Sequence, residues 1–297
     1  MTIKLNIGAS PIWRQDGWHV LDHKLQENTK TAIAGDAANI NLPDQSCEAI
    51  FCSHMFEHIP HTKLPLVVCE INRLLEPGGI FRMLTPDLEI ITRAYVEKDE
   101  SFFKEALAED ENIRTDLGFG GMFMNFVVSS GQDTALFDRN LKSFIGGYAH
   151  LYNYDYDMMN IMLSRLGFKC RKAEFNDSEI IEMQTPLHVE GLNPEWQNFN
   201  KQFYLKNNLV HRLINGTYEI NFKTTGFDRD PLTSLIVEAK KIKYVNKKEA
   251  DIQFNYSQKN YNRYGYSLLS DNAFRDRLEE LGIDYPAVRS VESDDCE

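Results

Sequence analysis

Three short apolar segments near the N-terminus end in residues that could hold a nucleoside. The first ends in the small residues Gly8-Ala9-Ser10, the second in Asp22 and the third in Asp36. Small residues allow a ligand to lie directly against the backbone, and a carboxylate accepts hydrogen bonds from a pair of ribose hydroxyls. A polar group beside Asp36 could contact an adenine amino group. Together these residues predict a site for an adenosine-containing cofactor.

The loop at Gly8 is a poor match to the sites that bind a pyrophosphate. The dinucleotide fingerprint G-x-G-x-x-G has three glycines and is followed by an acid about 20 residues further on. Here the loop has one glycine, and Asp22 follows at a shorter distance. The sequence therefore favours a nucleoside cofactor without phosphates, and a nicotinamide-dependent dehydrogenase is the weaker interpretation.

A second group of chemically useful residues follows the apolar run Ala49–Ser53, where His54, Glu57, His58 and His61 lie close together in the chain. The three histidines could suggest a metal site, but their spacing is poor for a closed zinc site and no cysteine pair assists them. We therefore expect no metal here. Glu57 and His58 are expected to support the cofactor loop and the helix that follows it.

A strand, a helix and a second strand are predicted to position these residues. Ala49–Ser53 has no polar alternation, which is typical of a parallel strand buried on both faces. A helix with an apolar stripe spans Leu64 to Leu75, and Pro77-Gly78-Gly79 ends it before the strand Ile80–Leu84. Because such units are right-handed, the carboxyl ends of both strands share one rim, where ligands of open α/β sheets bind. That rim receives Ser53, His54, Glu57, His58, Thr85 and Asp87.

The rest of the chain supplies further strands and one candidate wall. The additional strands are predicted at Ile3–Ile7, Trp18–Asp22, Ala32–Asp36, Phe168–Phe175 and Leu232–Ala239. The glycine-interrupted apolar segment Gly118 to Met124 is expected to form a lid or a substrate wall beside the rim. Around Asn215-Gly216 the pattern allows either the end of a helix or a hairpin turn, and we favour a helix followed by a strand.

Composition narrows the classes of partner and location. The 297 residues carry a net charge of −12, with a pI near 5.2, which argues against nucleic acid or an anionic membrane surface as the main partner. No apolar run is long enough to cross a bilayer. The five cysteines include no C-x-x-C pair, and the N-terminus begins with a strand pattern and no charged leader. We therefore expect reduced thiols and a cytoplasmic location.

Several motifs, in order along the chain, resemble the class I S-adenosylmethionine-dependent methyltransferases. The sequence is most similar to the group that has an L-P-x-x-x-x-x-D-x-I-x-S-x-x-x-E-H-I segment, although Glu48 replaces its aspartate. The resemblance covers roughly residues 1–242. It rests on Leu5–Ser10, Gly17-Trp18 with Asp22, Gly35-Asp36-Ala37, Leu42-Pro43, Phe56–Ile59, Leu75–Gly79, Thr85–Leu88, His150–Gly167 and Ser234–Lys240.

The resemblance implies a fold, a cofactor and the roles of particular residues. The fold is a Rossmann-like α/β class with a mostly parallel seven-stranded sheet and an antiparallel last strand, and the cofactor is S-adenosylmethionine. Asp22 would hold the ribose, and Asp36 with Ala37 the adenine side. Gly8, Ala9, Ser10, Ser53 and His54 would surround the methionine part, although Ser10 stands where the family usually has glycine. His54 and His150 are the candidate catalytic residues, because transfer to oxygen requires removal of a proton.

We predict one methyltransferase-like domain at residues 1–243, with insertions at about 100–150 and 178–231. Residues 244–297 are predicted to form a Tyr-rich extension with a short helix and an acidic tail, in which residues 244–285 dock onto the surface of the domain or contact a second copy of the chain. The predicted activity is methylation, at oxygen, of a small-molecule or sugar acceptor. The alternative is a non-catalytic protein of the same fold that acts as a scaffold or regulator.

Overall fold

The computed structural model describes residues 2–9, 13, 15–25, 27–61, 63–107, 118–128, 150–174, 177–184, 210–212, 218–220 and 233–250. The predictions for Ser10, for the helix after Asn193 and for the extension beyond Ala250 lie outside these residues. The first strands are β1 (Ile3–Ile7), β2 (Trp18–Asp22), β3 (Ala32–Ala34), β4 (Cys47–Ser53) and β5 (Leu75–Pro86). The later ones are β6 (Phe168–Lys172), β7 (Val210–Arg212), β8 (Tyr218–Ile220) and β9 (Ser234–Lys241). The helices are α1 (Leu64–Leu74), α2 (Leu88–Glu97), α3 (Glu100–Leu107), α4 (Gly118–Val128) and α5 (Tyr156–Arg165).

Seven strands form the central sheet in the order β3-β2-β1-β4-β5-β9-β6. Strand β9 is antiparallel to both of its neighbours, and the other pairs in the sheet are parallel. The predicted fold, a mostly parallel α/β sheet with an antiparallel last strand, is thus confirmed. The order reverses beside β1, between β2 and β4, and the carboxyl ends of these strands are where ligands bind in open α/β sheets.

The core of the domain forms where α1 packs on the sheet. Strand β4 is buried throughout except at Glu48, as its unbroken apolar pattern predicts. The apolar stripe of α1, including Leu64, Val68 and Ile71, is fully buried in the same cluster. The helix ends at Leu74, and Leu75 already begins β5. The prediction that Leu75 belongs to the helix is therefore wrong, since Pro77 disfavours a helical conformation in the residue before it and the turn starts earlier.

The far edge of the sheet is anchored by a buried ion pair. Arg82 on β5 and Glu238 on β9 are register partners, and the guanidinium lies 3.2 Å from the carboxylate. Glu238 also accepts hydrogen bonds from Ser178 Oγ (2.6 Å) and from the backbone N–H of Glu179 (2.9 Å). Both charged side chains are at most 2% exposed. The pair therefore fixes the segment after β6 onto the sheet.

Helices α2, α3 and α4 pack together through an aromatic cluster of their own, built around Phe102, Phe103 and Met122. Asp87 caps α2, because its carboxylate accepts hydrogen bonds from the N–H groups of Glu89 and Ile90. Among the described residues no helix has the length and apolarity needed to cross a membrane. Strands β7 and β8 form a separate antiparallel pair. The favoured helix up to Asn215 is thus wrong at Val210–Arg212, where the chain forms a hairpin strand instead.

Candidate functional site

The carboxyl ends of the parallel strands bring the predicted cofactor residues to one rim. The N–H of Gly8, after β1, donates to Leu21 O of β2 at 2.8 Å. Asp22 is the register partner of Ala34 on β3, and on the other side Ile7 pairs with Cys52, so that Ser53 lies beside the Gly8 loop. The carboxyl ends of the neighbouring strands β3, β2, β1 and β4 thus carry, in that order, Asp36, Asp22, Gly8 and Ser53, with Asp36 two residues beyond the end of β3.

Gly8 occupies a position that only glycine fits. Its φ of +75° lies in the left-handed region, which L side chains avoid. A Cβ at this position would also lie 2.8 Å from Met55 Sδ and 2.9 Å from Met55 Cγ. The loop after β1 therefore packs closely against the side chain of Met55, in the turn after β4.

Asp22 and Asp36 differ in their surroundings. Asp22 is 5% exposed, and its Oδ1 accepts a hydrogen bond of 2.8 Å from the N–H of Lys24. Asp36 is exposed, with Oδ1 accepting from the N–H of Ala38 (2.8 Å) and Oδ2 from Lys63 Nζ (2.7 Å). Partial burial raises the pKa of Asp36, but the bonds from Lys63 and Ala38 outweigh this and lower it. Asp36 is therefore suited to be an anionic acceptor at neutral pH.

The described residues fit an adenosine-containing cofactor. A loop that tolerates only glycine, a recessed carboxylate on the next strand and a second acid with the adjoining Ala37 lie in the order that such a ligand needs. Carboxylates accept hydrogen bonds from hydroxyl and amino groups, which are the donors of ribose and adenine. A phosphate-free ligand suits this rim, because an anionic ligand would be repelled by the two acids.

His54 begins the turn that leaves β4, and both of its ring nitrogens contact protein atoms. Nδ1 lies 3.1 Å from Glu57 Oε1 and Nε2 lies 3.0 Å from Ser234 Oγ. Its backbone has a φ of +49°, an uncommon conformation for a non-glycine residue that is enriched at functional sites. The side chain is 17% exposed. His54 is thus held between the turn and β9 in a fixed orientation.

Glu57 is the buried centre of a histidine cluster. Its side chain has no exposed surface, and Oε2 accepts a hydrogen bond of 3.3 Å from Thr85 Oγ1. Burial raises the pKa of Glu57, but the hydrogen bond and charge of His54, together with the charges of His58 and His150, lower it to about 2. The ligand atoms of Glu57, His58 and His150 all lie within 4.8 Å of one another.

The segment 150–154 crosses the rim and completes this cluster. The N–H groups of Leu151 and Tyr152 donate to Glu57 O at 2.7 and 3.3 Å. At the other end Tyr154 O accepts from the N–H of Leu88 at 3.0 Å, beside the start of α2. His150 Nδ1 lies 2.9 Å from Phe126 O on α4, and burial lowers the pKa of this imidazole. His150 is therefore tied to both the turn after β4 and the helix α4.

A cleft opens beside this segment. Its volume is about 320 Å³, and it is lined by Leu88, Val127, Val128, His150, Leu151, Tyr152, Asn153 and Met158. Four of these residues are aliphatic or thioether side chains outside the crossing segment, so the cleft has an apolar wall and a polar edge. Val127 and Val128 end α4. The segment Gly118 to Met124, for which a lid or wall was predicted, thus begins the helix whose last residues line the cleft.

Sequence reasoning missed the composition of the histidine cluster. The spacing along the chain grouped His58 with His54 and His61, whereas the structure places His58 with Glu57 and His150. The ring centroids of His58 and His150 are 5.1 Å apart, in an edge-to-face contact. The ring of His61 instead stacks on Tyr152. The available signal was the return of the methyltransferase resemblance at His150, but spacing along the chain cannot show that this segment lies against Glu57.

The comparisons with known proteins match part of the chain to a methyltransferase domain. Residues 14–83, which include β2 to β4 and most of β5, match the model of a methyltransferase domain family. No curated protein matches the chain. A SAM-dependent methyltransferase from Archaeoglobus fulgidus is 14% identical over 81% of this chain and 86% of its own, with a TM-score of 0.37.

A second solved structure gives similar values. The S-adenosylmethionine-dependent methyltransferase from Mesorhizobium loti is 14% identical over 80% of this chain and 90% of its own, again with a TM-score of 0.37. The match to the methyltransferase domain family covers 14–83 of the 297 residues. Residues 14–83, which supply most of the parallel part of the sheet, are thus similar to a methyltransferase domain.

Proposed function

We propose that the protein methylates a hydroxyl oxygen of a small-molecule or sugar acceptor. The observation that carries this proposal is the cleft of about 320 Å³ lined by His150. The segment that supplies His150 is hydrogen-bonded to Glu57, in the turn that follows β4, so the cleft adjoins the rim proposed for the cofactor. A methyl donor on the rim and an acceptor in the cleft would then be close enough to react.

The protein contributes mainly alignment to such a transfer. S-adenosylmethionine supplies a methyl group that leaves its sulfur with the C–S electron pair staying behind, as the acceptor oxygen bonds to the methyl carbon. We propose that Asp22 accepts hydrogen bonds from the ribose, and that Asp36 with Ala37 contacts the adenine. Gly8, Ala9 and Ser10, with the backbone of Ser53 and His54, would enclose the methionine part.

Of the two candidate catalytic histidines, we propose that His150 faces the acceptor and that His54 orients Glu57. Both nitrogens of His54 already lie within hydrogen-bond distance of Glu57 and Ser234. His150 instead lines the cleft, and the contact of its Nδ1 with a carbonyl oxygen requires that nitrogen to carry the proton. The lone pair is then on Nε2. The acceptor hydroxyl would thus lose its proton at the cluster of Glu57, His58 and His150.

The lining of the cleft supports a small acceptor with both apolar and hydroxyl groups. Leu88, Val127 and Met158 can pack against a ring or chain of carbon atoms. Asn153 donates through Nδ2 to Val127 O at 2.6 Å, while its buried Oδ1 has no hydrogen-bond partner among the described residues. A hydroxyl group of the acceptor would satisfy that oxygen. The net charge of −12 disfavours nucleic acid as the acceptor.

A non-catalytic scaffold or regulator of the same fold is the second candidate. The buried Asp22 and the left-handed Gly8 favour a site for a cofactor over a degenerate one. We also propose that the protein works in the cytoplasm, since Cys47, Cys52, Cys69 and Cys170 form no disulfide bonds in the described part of the chain.

Filling the cleft tests the proposed activity. Val127→Trp should block the acceptor but leave the rim intact, so S-adenosylhomocysteine should bind as in the wild type. Wild-type protein is given methyl-labelled S-adenosylmethionine with a panel of hydroxylated small molecules and sugars, and label transfer is measured by chromatography. Val96→Trp is the control, because Val96 is 69% exposed on α2.

We expect label transfer to an acceptor oxygen by the wild type and by Val96→Trp, and its loss in Val127→Trp. Transfer that survives in Val127→Trp would show that the acceptor binds elsewhere. Cofactor binding with no transfer to any class of acceptor, RNA and protein included, would favour the scaffold.

A further inference from the structure

We infer that Glu57, His58 and His150 form a binding site for a divalent transition-metal ion, with Zn²⁺ the ion that the donor set favours. Their ligand atoms lie within 4.8 Å of one another. Ligands of a tetrahedral zinc at 2.0–2.1 Å would be roughly 3.3 Å apart. A small shift of the His58 ring and of the segment that carries His150 would close that difference, since both residues are only half-buried.

The backbone holds the three ligands in place before any ion binds. Glu57 and His58 belong to the single helical turn Phe56–His58, and His150 comes from the segment that crosses the rim. The two hydrogen bonds from Leu151 and Tyr152 to Glu57 O join these segments directly. The separation of His58 from His150 therefore depends on main-chain contacts and not on side-chain packing alone.

Hydrogen bonds from neighbouring groups orient His150 and Glu57 in the way that outer-sphere residues orient metal ligands. A histidine that binds a metal through one nitrogen commonly donates its other N–H to a carbonyl or carboxylate. His150 Nδ1 does this, because Phe126 O can only accept. The carboxylate of Glu57 is oriented in the same way by His54 on Oε1 and by Thr85 on Oε2. The bond to Phe126 sets the tautomer of His150, with the lone pair on Nε2. The bonds from His54 and Thr85 orient the carboxylate of Glu57.

Two imidazoles and one carboxylate select the kind of ion. Ca²⁺ and Mg²⁺ prefer oxygen ligands, whereas imidazole suits zinc and its neighbours in the first transition row. Three protein ligands also leave the fourth position of zinc open, as in catalytic zinc sites. Because His150 lines the cleft, that open position would adjoin the space proposed for the acceptor.

The role of the ion rests on the proposed function. A hydroxyl oxygen that coordinates a divalent ion has a lowered pKa. Its proton would pass to solvent water, and the oxygen would keep the electron pair that forms the bond to the methyl carbon. His150 would then act as a ligand, and the ion would replace a general base. His54 would be a positioning residue that holds the carboxylate of Glu57.

Titration of metal-free protein without a histidine tag tests the site. Zn²⁺ is titrated by calorimetry, and Co²⁺ is followed by its visible absorption, which reports coordination independently of any activity. We expect one ion per chain in the wild type, and at least about tenfold weaker binding in His58→Ala and in His150→Ala. His61→Ala is the matched control, because this histidine of the same stretch stacks on Tyr152 and is not in the cluster.

Equal affinity in the wild type, His58→Ala and His150→Ala would overturn the assignment, as would the absence of any Zn²⁺ binding by the folded wild type. Circular dichroism establishes that each variant folds. If one of the variants His58→Ala and His150→Ala does not fold, the metal affinity of the other tests the assignment. S-adenosylhomocysteine binding to the metal-free protein is measured in parallel. Cofactor binding without metal binding would refute the ion alone, whereas metal binding without cofactor binding would refute the methyltransferase proposal.

Discussion

For single residues, the loop after β1 and the turn before β2 depend on glycines, which have no Cβ atom. Gly8 and Gly17 both have a left-handed backbone, with φ of +75° and +80°. A Cβ on Gly8 would meet Met55 at 2.8 Å, whereas a Cβ on Gly17 would meet nothing within 4 Å. Alanine at Gly17 therefore introduces backbone strain alone, whereas alanine at Gly8 introduces backbone strain and a steric clash.

We expect Gly17→Ala to cost about 1–2 kcal/mol of unfolding free energy, from strain alone. Gly8→Ala should cost a further 1–3 kcal/mol or so, because the new methyl group overpacks against Met55. Urea unfolding of both variants measures the difference. Equal losses would show that the Gly8 loop is not pressed against Met55. Met55→Ala in the Gly8→Ala background should recover part of the extra loss.

At the scale of elements, the strands were easier to predict than the contacts between distant segments. Strand β4 is buried on both faces, and burial on both faces requires apolar residues at successive positions, so the strand could be predicted from its unbroken apolar run. Asp22, at the end of β2, and Asp36, two residues after β3, could also be predicted from the sequence, because each acid follows a short apolar run. The cluster of Glu57 with His150 could not be derived, since it depends on two hydrogen bonds between segments far apart in the chain.

The buried pair of Arg82 and Glu238 is another long-range contact, and it makes the sheet edge sensitive to charge. Glu238→Gln should lower the unfolding free energy by roughly 3–5 kcal/mol, because it leaves the charge of Arg82 buried without its counterion. Glu179→Gln is the matched control. Glu179 pairs with Lys240 at the surface, where both side chains are about half exposed, and such pairs contribute at most about 1 kcal/mol.

Urea unfolding of the two variants gives the comparison. A loss in Glu238→Gln no larger than that in Glu179→Gln would contradict an anchoring role for the buried pair. Replacing both members, as Arg82→Met with Glu238→Leu, should recover part of the stability lost in Glu238→Gln, because the buried charge of Arg82 is removed as well. The remaining loss comes from Ser178, Glu179 and Arg171, which no longer have the carboxylate of Glu238 as their acceptor.

At the scale of the whole molecule, the start of the C-terminal extension is part of the core. Val245 is 3% exposed and Ala250 is 1% exposed in the cluster around α1. The N–H of Val245 donates to Asn72 Oδ1 at 3.1 Å. A chain that ends at Lys243 should therefore be less stable than one that ends at Ala250, by about 2–3 kcal/mol for the buried valine side chain and the lost hydrogen bond.

Urea unfolding of the two truncated chains checks this value, and equal stability would contradict it. Residues 251–297 lie outside the described residues, so a dimer contact through them stays a prediction. Light scattering of the full chain and of the chain that ends at Ala250 decides it. A dimer that becomes a monomer would support the contact, and equal masses would refute it.

Binding of the cofactor at the rim through Asp22 is measured by titrating S-adenosylhomocysteine into the wild type and Asp22→Asn. The asparagine keeps an oxygen for the N–H of Lys24 and removes only the charge. We expect the wild type to bind one molecule per chain, and the variant to bind more weakly by about 1.5–3 kcal/mol, which is roughly 10- to 150-fold. Asp157→Asn, an exposed residue of α5, should bind like the wild type. Unchanged affinity in a folded Asp22→Asn protein, or NAD binding as tight as that of S-adenosylhomocysteine, would contradict the account.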